Sequence, residues 1–358
     1  MRITIFVHAL SGGGAEHVAA LWARGFVCQG HQVSVVVYSG NRVDYQIPKE
    51  VELYEVRIPK GNRIRRYIGK ICNLRKAFKE LHPDLIITVM HPCSFYALLA
   101  TIGMNIPIVN TEHNAFERPQ GARWSKLELF QKFYLNRLFK YVTVLTQTDK
   151  DFIGSRLKNV VVVPNPLAFS PLPEIPPKPT IVLAMGRLDG WYVKGFDVLI
   201  KAWGIVCKKH PDWNLHIAGE GGEQAQKHLK AICEECNAQD NVSLVGFYTN
   251  PTEAYQPASI FVLSSRCDGF GMVLVEAMSQ GCACVACDYK GRQREIIRNN
   301  KEGIICEPED ADGLADAIVE LIENHEMRKD IQNHSLVRSR QFELDSIMKK
   351  WDLIISNL

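Results

Sequence analysis

Nowhere does the chain run about 18 apolar residues without interruption, so no membrane-crossing helix is expected. The nearest stretch, 95–109, is broken by Asn105 and Pro107. Charge of one sign is also scarce: 42 Lys and Arg stand against 39 Asp and Glu, a net charge of +3. That balance offers no reason to expect a nucleic-acid partner. Glycine has no period and no short unit repeats, which excludes collagen and solenoid architectures. The first ten residues lack a small-residue cleavage pattern, contain His8 and run straight into Ser11-Gly12-Gly13-Gly14, so they read as a buried strand and not as a signal peptide. Cysteine is not scarce, but its zinc-binding arrangement is missing. The pairs Cys233/Cys236 and Cys284/Cys287 are 47 residues apart and no His pair accompanies them. Free thiols in a reducing, cytoplasmic compartment are expected, without disulfides.

What is present is ordinary globular composition, 46% hydrophobic over 358 residues, enough for two domains. β-Branched runs at 3–7, 33–38, 53–58, 85–90, 106–110, 141–145 and 160–163 alternate with amphipathic stretches. Their nearly continuous apolar character predicts a parallel sheet covered on both faces. Seven of the 17 prolines then fall between 164 and 179, where fixed φ angles and missing donors rule out helix and sheet. Alternation restarts at 181–185, 215–218, 242–245, 260–263, 284–286 and 303–306. The expected class is α/β, with two Rossmann-like doubly wound domains facing each other across a cleft: 1–165, a linker at 166–179, and 180–342. The amphipathic tail 343–358 could rejoin the first domain.

Three turns carry candidate chemistry. The first, around Gly12, Gly13 and Gly14, either permits a tight turn or lets backbone amides approach an anion at a helix N-terminus. It is not a dinucleotide fingerprint, because His17 stands at the third glycine position and Tyr38-Ser39-Gly40 replaces the ribose-binding acid. The second places Arg187 after a strand and Lys194 before a helix, two cations suited to a diphosphate. The third runs from Ser264 through Asp268 to Glu276, a carboxylate on a mostly apolar helix that calls for hydroxyl or amide donors, such as a ribose diol.

Gly186-Arg187, Lys194-Gly195 and the acid-x7-Glu segment from Asp268 to Glu276 resemble retaining glycosyltransferases of family 4, which have the GT-B fold. So do the loop 12–16, Thr111-Glu112-His113-Asn114 and Val163-Pro164-Asn165-Pro166, in the same order along nearly the whole chain. Residues 264–297 are similar to bacterial enzymes that extend lipid-linked or surface glycans with hexose or N-acetylhexosamine. The resemblance implies that Arg187 and Lys194 hold the donor diphosphate and that Glu276 binds the ribose hydroxyls. It implies that Asp268, with the amides of Gly269, Phe270, Gly271 and Met272, positions the sugar. His113 would line the reaction centre, Gly13 and Gly14 would approach the phosphates, and Gly246, Phe247 and Tyr248 would hold the base. The donor is expected to be UDP-linked in preference to GDP-linked, with no cofactor and no metal. The two Asp-x-Asp matches, Asp149/Asp151 and Asp310/Asp312, read as helix N-terminal acids. Asp268 stands where the family usually has Glu, shortening its reach by about 1.5 Å, which bears on sugar choice.

The small net charge hides an asymmetry. Residues 1–168 hold 22 cations and 12 acids, and the remainder 20 and 27. Residues 60–80 alone have eight cations and one acid, and 118–140 six and one, both interleaved with apolar side chains. Two readings follow: a surface for anionic lipid headgroups through Arg63, Arg65, Arg66, Lys70, Arg123, Trp124 and Lys126, or aromatics packed inward with cations facing water. The first expects a peripheral enzyme on the inner face of the cell membrane, with a lipid-linked or glycan acceptor. A nucleotide-sugar epimerase, a phosphorylase or a nonenzymatic nucleotide-sugar-binding protein are the alternatives on the same scaffold.

Overall fold

The β-branched runs become strands because branched side chains pack well on a pleated surface whose two faces are both covered. A computed structural model describes residues 1–118, 124–298 and 300–358. It divides into two compact units, Met1–Ala168 with Leu344–Leu358, and Phe169–Glu343.

The first unit contains β1 (Arg2–Phe6), β2 (Gln32–Tyr38), β3 (Glu52–Val56), β4 (Leu85–Val89), β5 (Ile108–Thr111), β6 (Tyr141–Val144) and β7 (Val160–Val162). They form one sheet in the order β3-β2-β1-β4-β5-β6-β7, parallel throughout. Every residue of β4 is buried, as expected of a central strand. The order reverses direction beside β1, so the loops after β1 and β4 leave the carboxyl edge at a switch point.

Two helices of this unit have unequal halves. The helix Arg63–Leu81 is capped by Asn62, whose side chain accepts from the Arg65 amide at 2.9 Å. Leu74, Ala77 and Phe78 are buried, whereas Ile64, Tyr67 and Ile68 are 71%, 40% and 57% exposed. The helix Lys126–Phe133 begins with a capping box between Ser125 and Glu128. Its Phe133 is buried, while Leu127, Phe130 and, just beyond, Tyr134 and Leu138 are exposed. The aromatic-basic stretches thus follow neither reading completely: part of the apolar set packs and part faces outward. The helix Leu344–Ile355 lies on the helix Gly14–Cys28. Trp351 is fully buried there, with its ring 5.0 Å from Trp22 and 5.6 Å from Phe26, both near edge-on.

The second unit contains β8 (Ile181–Met185), β9 (Asn214–Ala218), β10 (Val242–Gly246), β11 (Ile260–Leu263), β12 (Ala283–Cys287) and β13 (Ile304–Cys306). Their order is β10-β9-β8-β11-β12-β13, again all parallel, with the switch beside β8. The proline-rich segment is fastened to this unit. Lys178 Nζ donates to the carbonyls of Tyr255 (3.1 Å), Gln256 (2.8 Å), Ala258 (2.9 Å) and Gln280 (2.8 Å), and the Leu172 amide donates to Ser279 O (2.9 Å). A lysine in this setting neutralises the negative ends of two helices, Thr252–Tyr255 and Met272–Ser279, at once.

Trp351→Ala removes the largest side chain joining the terminal helix to the first unit. It is expected to cost about 3–5 kcal/mol of that unit's stability, read from urea unfolding followed by tryptophan fluorescence.

Candidate functional site

In the second unit the loops after β8 and β11 are tied together. Gly186 and Arg187 follow β8, and a short helix, Trp191–Lys194, leads through Gly195 into the helix Phe196–Lys209. Gly195 has φ +65°, and a Cβ there would lie 2.0 Å from the Ser264 carbonyl oxygen, so only glycine lets the loops approach this closely. Ser264 Oγ donates to the Lys194 carbonyl at 2.8 Å, and the Arg266 amide donates to Val193 O at 2.9 Å. The Arg266 guanidinium holds Asp197 through two bonds of 2.7 and 2.8 Å and donates to Tyr192 O at 2.6 Å. Sequence reasoning missed this clamp, because its two members are 69 residues apart.

That scaffold presents Lys194 to Asp268. The ammonium lies 3.0 Å from Asp268 Oδ2, and Oδ1 accepts from the amides of Phe270 (3.3 Å) and Gly271 (2.9 Å). Burial would raise the Asp268 pKa, but Lys194 and the two amides outweigh it and hold the carboxyl below its ordinary value. Two of the amides expected to meet the sugar are therefore engaged by Asp268 itself. Arg187 is exposed and has no ion-pair partner among the described residues. The Lys194 side chain runs over Gly186, the residue before Arg187, at 3.2 Å from where a Cβ would stand.

Glu276 sits on the helix Met272–Ser279, 8% exposed among buried Leu274, Val275 and Ala277. Its Oε2 accepts from the Tyr255 hydroxyl at 2.8 Å, and Oε1 takes no hydrogen bond among the described residues. Burial raises its pKa, and the Tyr255 bond opposes that only in part. Tyr255 was invisible in sequence, lying 21 residues upstream in a short turn of helix. Gly246 ends β10 with φ +78°, Phe247 is 71% exposed and Tyr248 is half-buried, on the sheet edge opposite β13.

In the first unit Gly13 is the N-cap of the helix Gly14–Cys28, and its carbonyl accepts from the Tyr45 hydroxyl at 3.1 Å. Tyr45 in turn stacks on His17 at 4.5 Å. His113 lies beyond β5, with Nε2 3.1 Å from Thr111 Oγ1 and its ring 5.5 Å from Trp22. Burial lowers its pKa to about 4, which neighbouring Glu112 and Asn165 offset only in part.

Glu112, not singled out from sequence, anchors a buried polar cluster. Lys132 Nζ donates to Oε2 at 2.9 Å, the amides of Asn110 and Asn136 donate to Oε1 at 3.2 and 3.3 Å, and His91 Nε2 stands 3.2 Å from Oε1. Burial alone would raise the Glu112 pKa, yet Lys132 and His91 hold it well below the carboxylate range. Lys132 thus turns inward from the basic stretch 118–140. Of the cations expected at a lipid-facing surface, Arg63, Arg65, Arg66 and Lys126 are exposed and Lys70 is half-buried. Trp124 is half-buried under the Arg118 guanidinium, 4.7 Å from its ring, and Arg123 lies outside the described residues. Asp149 and Asp151 lie in the helix Gln147–Ile153, Asp310 caps the helix Ala311–Glu323 and Asp312 is in its first turn.

Residues 12–168 match the family model described as Glycosyltransferase Family 4, and 170–336 that described as Glycosyl transferases group 1. An uncharacterized glycosyltransferase of Haemophilus influenzae is 26% identical over 348 residues, 96% of this chain and 97% of that protein. The GalNAc-alpha-(1->4)-GalNAc-alpha-(1->3)-diNAcBac-PP-undecaprenol alpha-1,4-N-acetyl-D-galactosaminyltransferase of Campylobacter jejuni is 25% identical over 370 residues, 100% of this chain and 99% of that protein. The structure of Anabaena Alr3699/HepE in complex with UDP and glucose superposes with a TM-score of 0.83 at 19% identity, covering 100% of both chains. The GT-B fold expected from the motifs is the fold observed.

Glu112→Gln leaves the Lys132 ammonium buried without its anion, and about 3–5 kcal/mol of stability should be lost at pH 7. Because the native Glu112 pKa is depressed, its contribution is complete above the unfolded value near 4.5 and is lost as pH falls towards the folded value. Thermal melts from pH 6 to 3 should therefore fall more steeply for the parent than for the variant. His113 has the same sign over a higher window: its contribution is complete above 6.5 and is lost as pH falls through about 4. His113→Gln should flatten the melting-temperature profile between those values.

Proposed function

Because this chain belongs to glycosyltransferase family 4, we propose that it moves a hexose or N-acetylhexosamine, with retention, from a UDP-linked donor to a hydroxyl of a lipid-linked acceptor. The second unit binds the donor. The observation that carries this reading is the pair of carboxylates on one helix-loop segment. Asp268 is ionised against Lys194, and Glu276 is buried with one oxygen satisfied by Tyr255 and the other available to a ribose diol. That second oxygen lies at the accessible edge of a largely buried residue, and two adjacent hydroxyls are the donors it fits.

Arg187 and Lys194 hold the diphosphate. Transfer breaks the bond between the sugar C1 and the diphosphate oxygen and forms a bond from C1 to the acceptor oxygen on the same face. The departing phosphate takes the acceptor's proton. Charge that builds on the diphosphate meets the two cations, which need no reorganisation as it develops. Those cations do what a divalent metal does elsewhere, so turnover abolished by EDTA and restored by Mn²⁺ would overturn this part of the reading. Asp268 bears on the sugar directly and through Lys194. His113, kept neutral by burial, lines the reaction centre. Phe247 and Tyr248 hold the base, and Gly13 and Gly14 approach the phosphates.

The first unit binds the acceptor and rests on the inner face of the cell membrane. Ile64 and Ile68 on one helix, Leu127 and Phe130 on another, and Tyr134 and Leu138 just beyond it are exposed beside cations, the composition of an interfacial surface. The undecaprenol-linked substrate named for the Campylobacter jejuni relative supports a lipid-linked acceptor.

Mass spectrometry of product and UDP release, across a panel of UDP- and GDP-sugars with a synthetic polyprenyl-diphosphate-linked glycan, tests the assignment. Asp268→Asn should lower turnover more than tenfold with UDP affinity changed little. Glu276→Gln should weaken UDP binding about tenfold. Donor consumption without an acceptor product would favour an epimerase or a phosphorylase, and UDP-sugar binding with no turnover would favour a binding protein.

A further inference from the structure

The chain enters the second unit at Phe169 and leaves it after Glu343. At each end an aromatic ring packs against a neighbour of a donor-site carboxylate. At the entry, the Leu172 amide donates to Ser279 O at 2.9 Å and Gln280 Nε2 donates to Ser170 O at 3.2 Å. The segment is thereby bonded to the last turn of the helix that carries Glu276. Phe169 is half-buried, with its ring 6.2 Å from that of Tyr255. Tyr255 is fully buried, and its hydroxyl donates to Glu276 Oε2 at 2.8 Å. One side chain thus separates the entry from the carboxylate read as the ribose ligand.

At the exit, a short helical turn, Arg340–Phe342, follows the helix His325–Ser339. Phe342 is buried, and its ring lies 5.7 Å from that of Phe270, near edge-on. Phe270 is buried as well and belongs to the turn whose amides Asp268 accepts. The Arg338 guanidinium stands 5.1 Å from the Phe342 ring and donates to the carbonyls of Glu295 (2.6 Å) and Ile296 (3.1 Å), in the segment after β12. Arg340 Nη2 donates to Leu172 O at 3.4 Å, which joins exit to entry. Rings in a close-packed interior pass a displacement on to what they touch. A shift of about 1 Å in a group that positions substrate costs about 100-fold in rate.

We propose that Phe169 and Phe342 are positioning residues of the donor site, with separate duties. Phe169 sets Glu276 through Tyr255, and with it the grip on the ribose. Phe342 sets the Asp268 turn through Phe270, and with it the placement of the sugar. The proposal rests on the donor reading above, in which Glu276 meets the ribose and Asp268 the sugar. The two relays have different members and end on different carboxylates, so their loss has different kinetic signatures. A purely structural role would lower the amount of folded protein without sorting UDP affinity from turnover.

UDP affinity of the full chain is measured by calorimetry. Turnover is read as UDP release from UDP-N-acetylgalactosamine or UDP-glucose with the polyprenyl-diphosphate-linked glycan, per UDP-binding site. Phe169→Ala should lose about fivefold in UDP affinity, with kcat at saturating donor within about twofold of the parent. Phe342→Ala should lose about tenfold in kcat, with UDP affinity within about twofold. Phe169→Leu and Phe342→Leu keep most of the bulk and should lie closer to the parent in each case. Retained UDP binding shows that Phe342→Ala is folded; where that variant does not accumulate, Phe342→Leu carries the same comparison with a smaller loss of kcat. Equal loss of UDP affinity in both positions, or unchanged affinity in Phe169→Ala with unchanged kcat in Phe342→Ala, would overturn the proposal. A parent that binds no UDP would instead overturn the donor reading on which it rests.

Discussion

A lysine ammonium 3.0 Å from a mostly buried aspartate is the interaction that joins two loops of the second unit. Lys194 and Asp268 belong to loops 74 residues apart that leave adjacent parallel strands, β8 and β11, at the point where strand order reverses. Parallel strands end on a common edge, so the topology alone brings these loops together. Keeping them in register requires more. Arg266 grips Asp197 and Tyr192, Ser264 holds the Lys194 carbonyl, and Gly195 offers no side chain to push the loops apart. Asp268 in turn organises its own loop by accepting two backbone amides. One carboxylate thus fixes the cation and the turn that follows it.

Three carboxyl groups show how surroundings set protonation. Asp268 and Glu112 are both desolvated, and both are held ionised because a lysine ammonium and several donors outweigh burial. Glu276 is equally desolvated but meets only a tyrosine hydroxyl, so its pKa rises. The first two are built to stay charged with the fold, while the third is left with unmet capacity for donors. That contrast separates carboxylates whose charge the fold itself compensates, such as Glu112, from one that meets a single neutral donor.

Charge asymmetry between the units has a local structure. Cations of the first unit divide into one drawn inward to a carboxylate, Lys132, a stripe lining a cavity, and others spread beside exposed apolar residues. Their neighbours in sequence are alike, yet helical rotation of about 100° per residue sends them to different surroundings. The terminal helix completes the first unit by burying Trp351, and Lys178 fastens the proline segment to the second.

Sequence by itself determined the strands, the place of the proline-rich segment and the order of the motifs. Each is a local property: β-branched runs, fixed φ angles, and residue types at short spacing. It also marked Lys194, Asp268 and Glu276, because a charge on an apolar stretch or at a strand end is conspicuous. Only the tertiary structure decided that Asp268 occupies the amides of Phe270 and Gly271, that Tyr255 shares Glu276, and that Lys132 turns inward to Glu112. It likewise separated Arg65 from Arg63, Arg66 and Lys70, four cations that composition counts as one patch. Partners 20 or 70 residues apart leave no periodic trace, because what joins them is the convergence of chain segments in space.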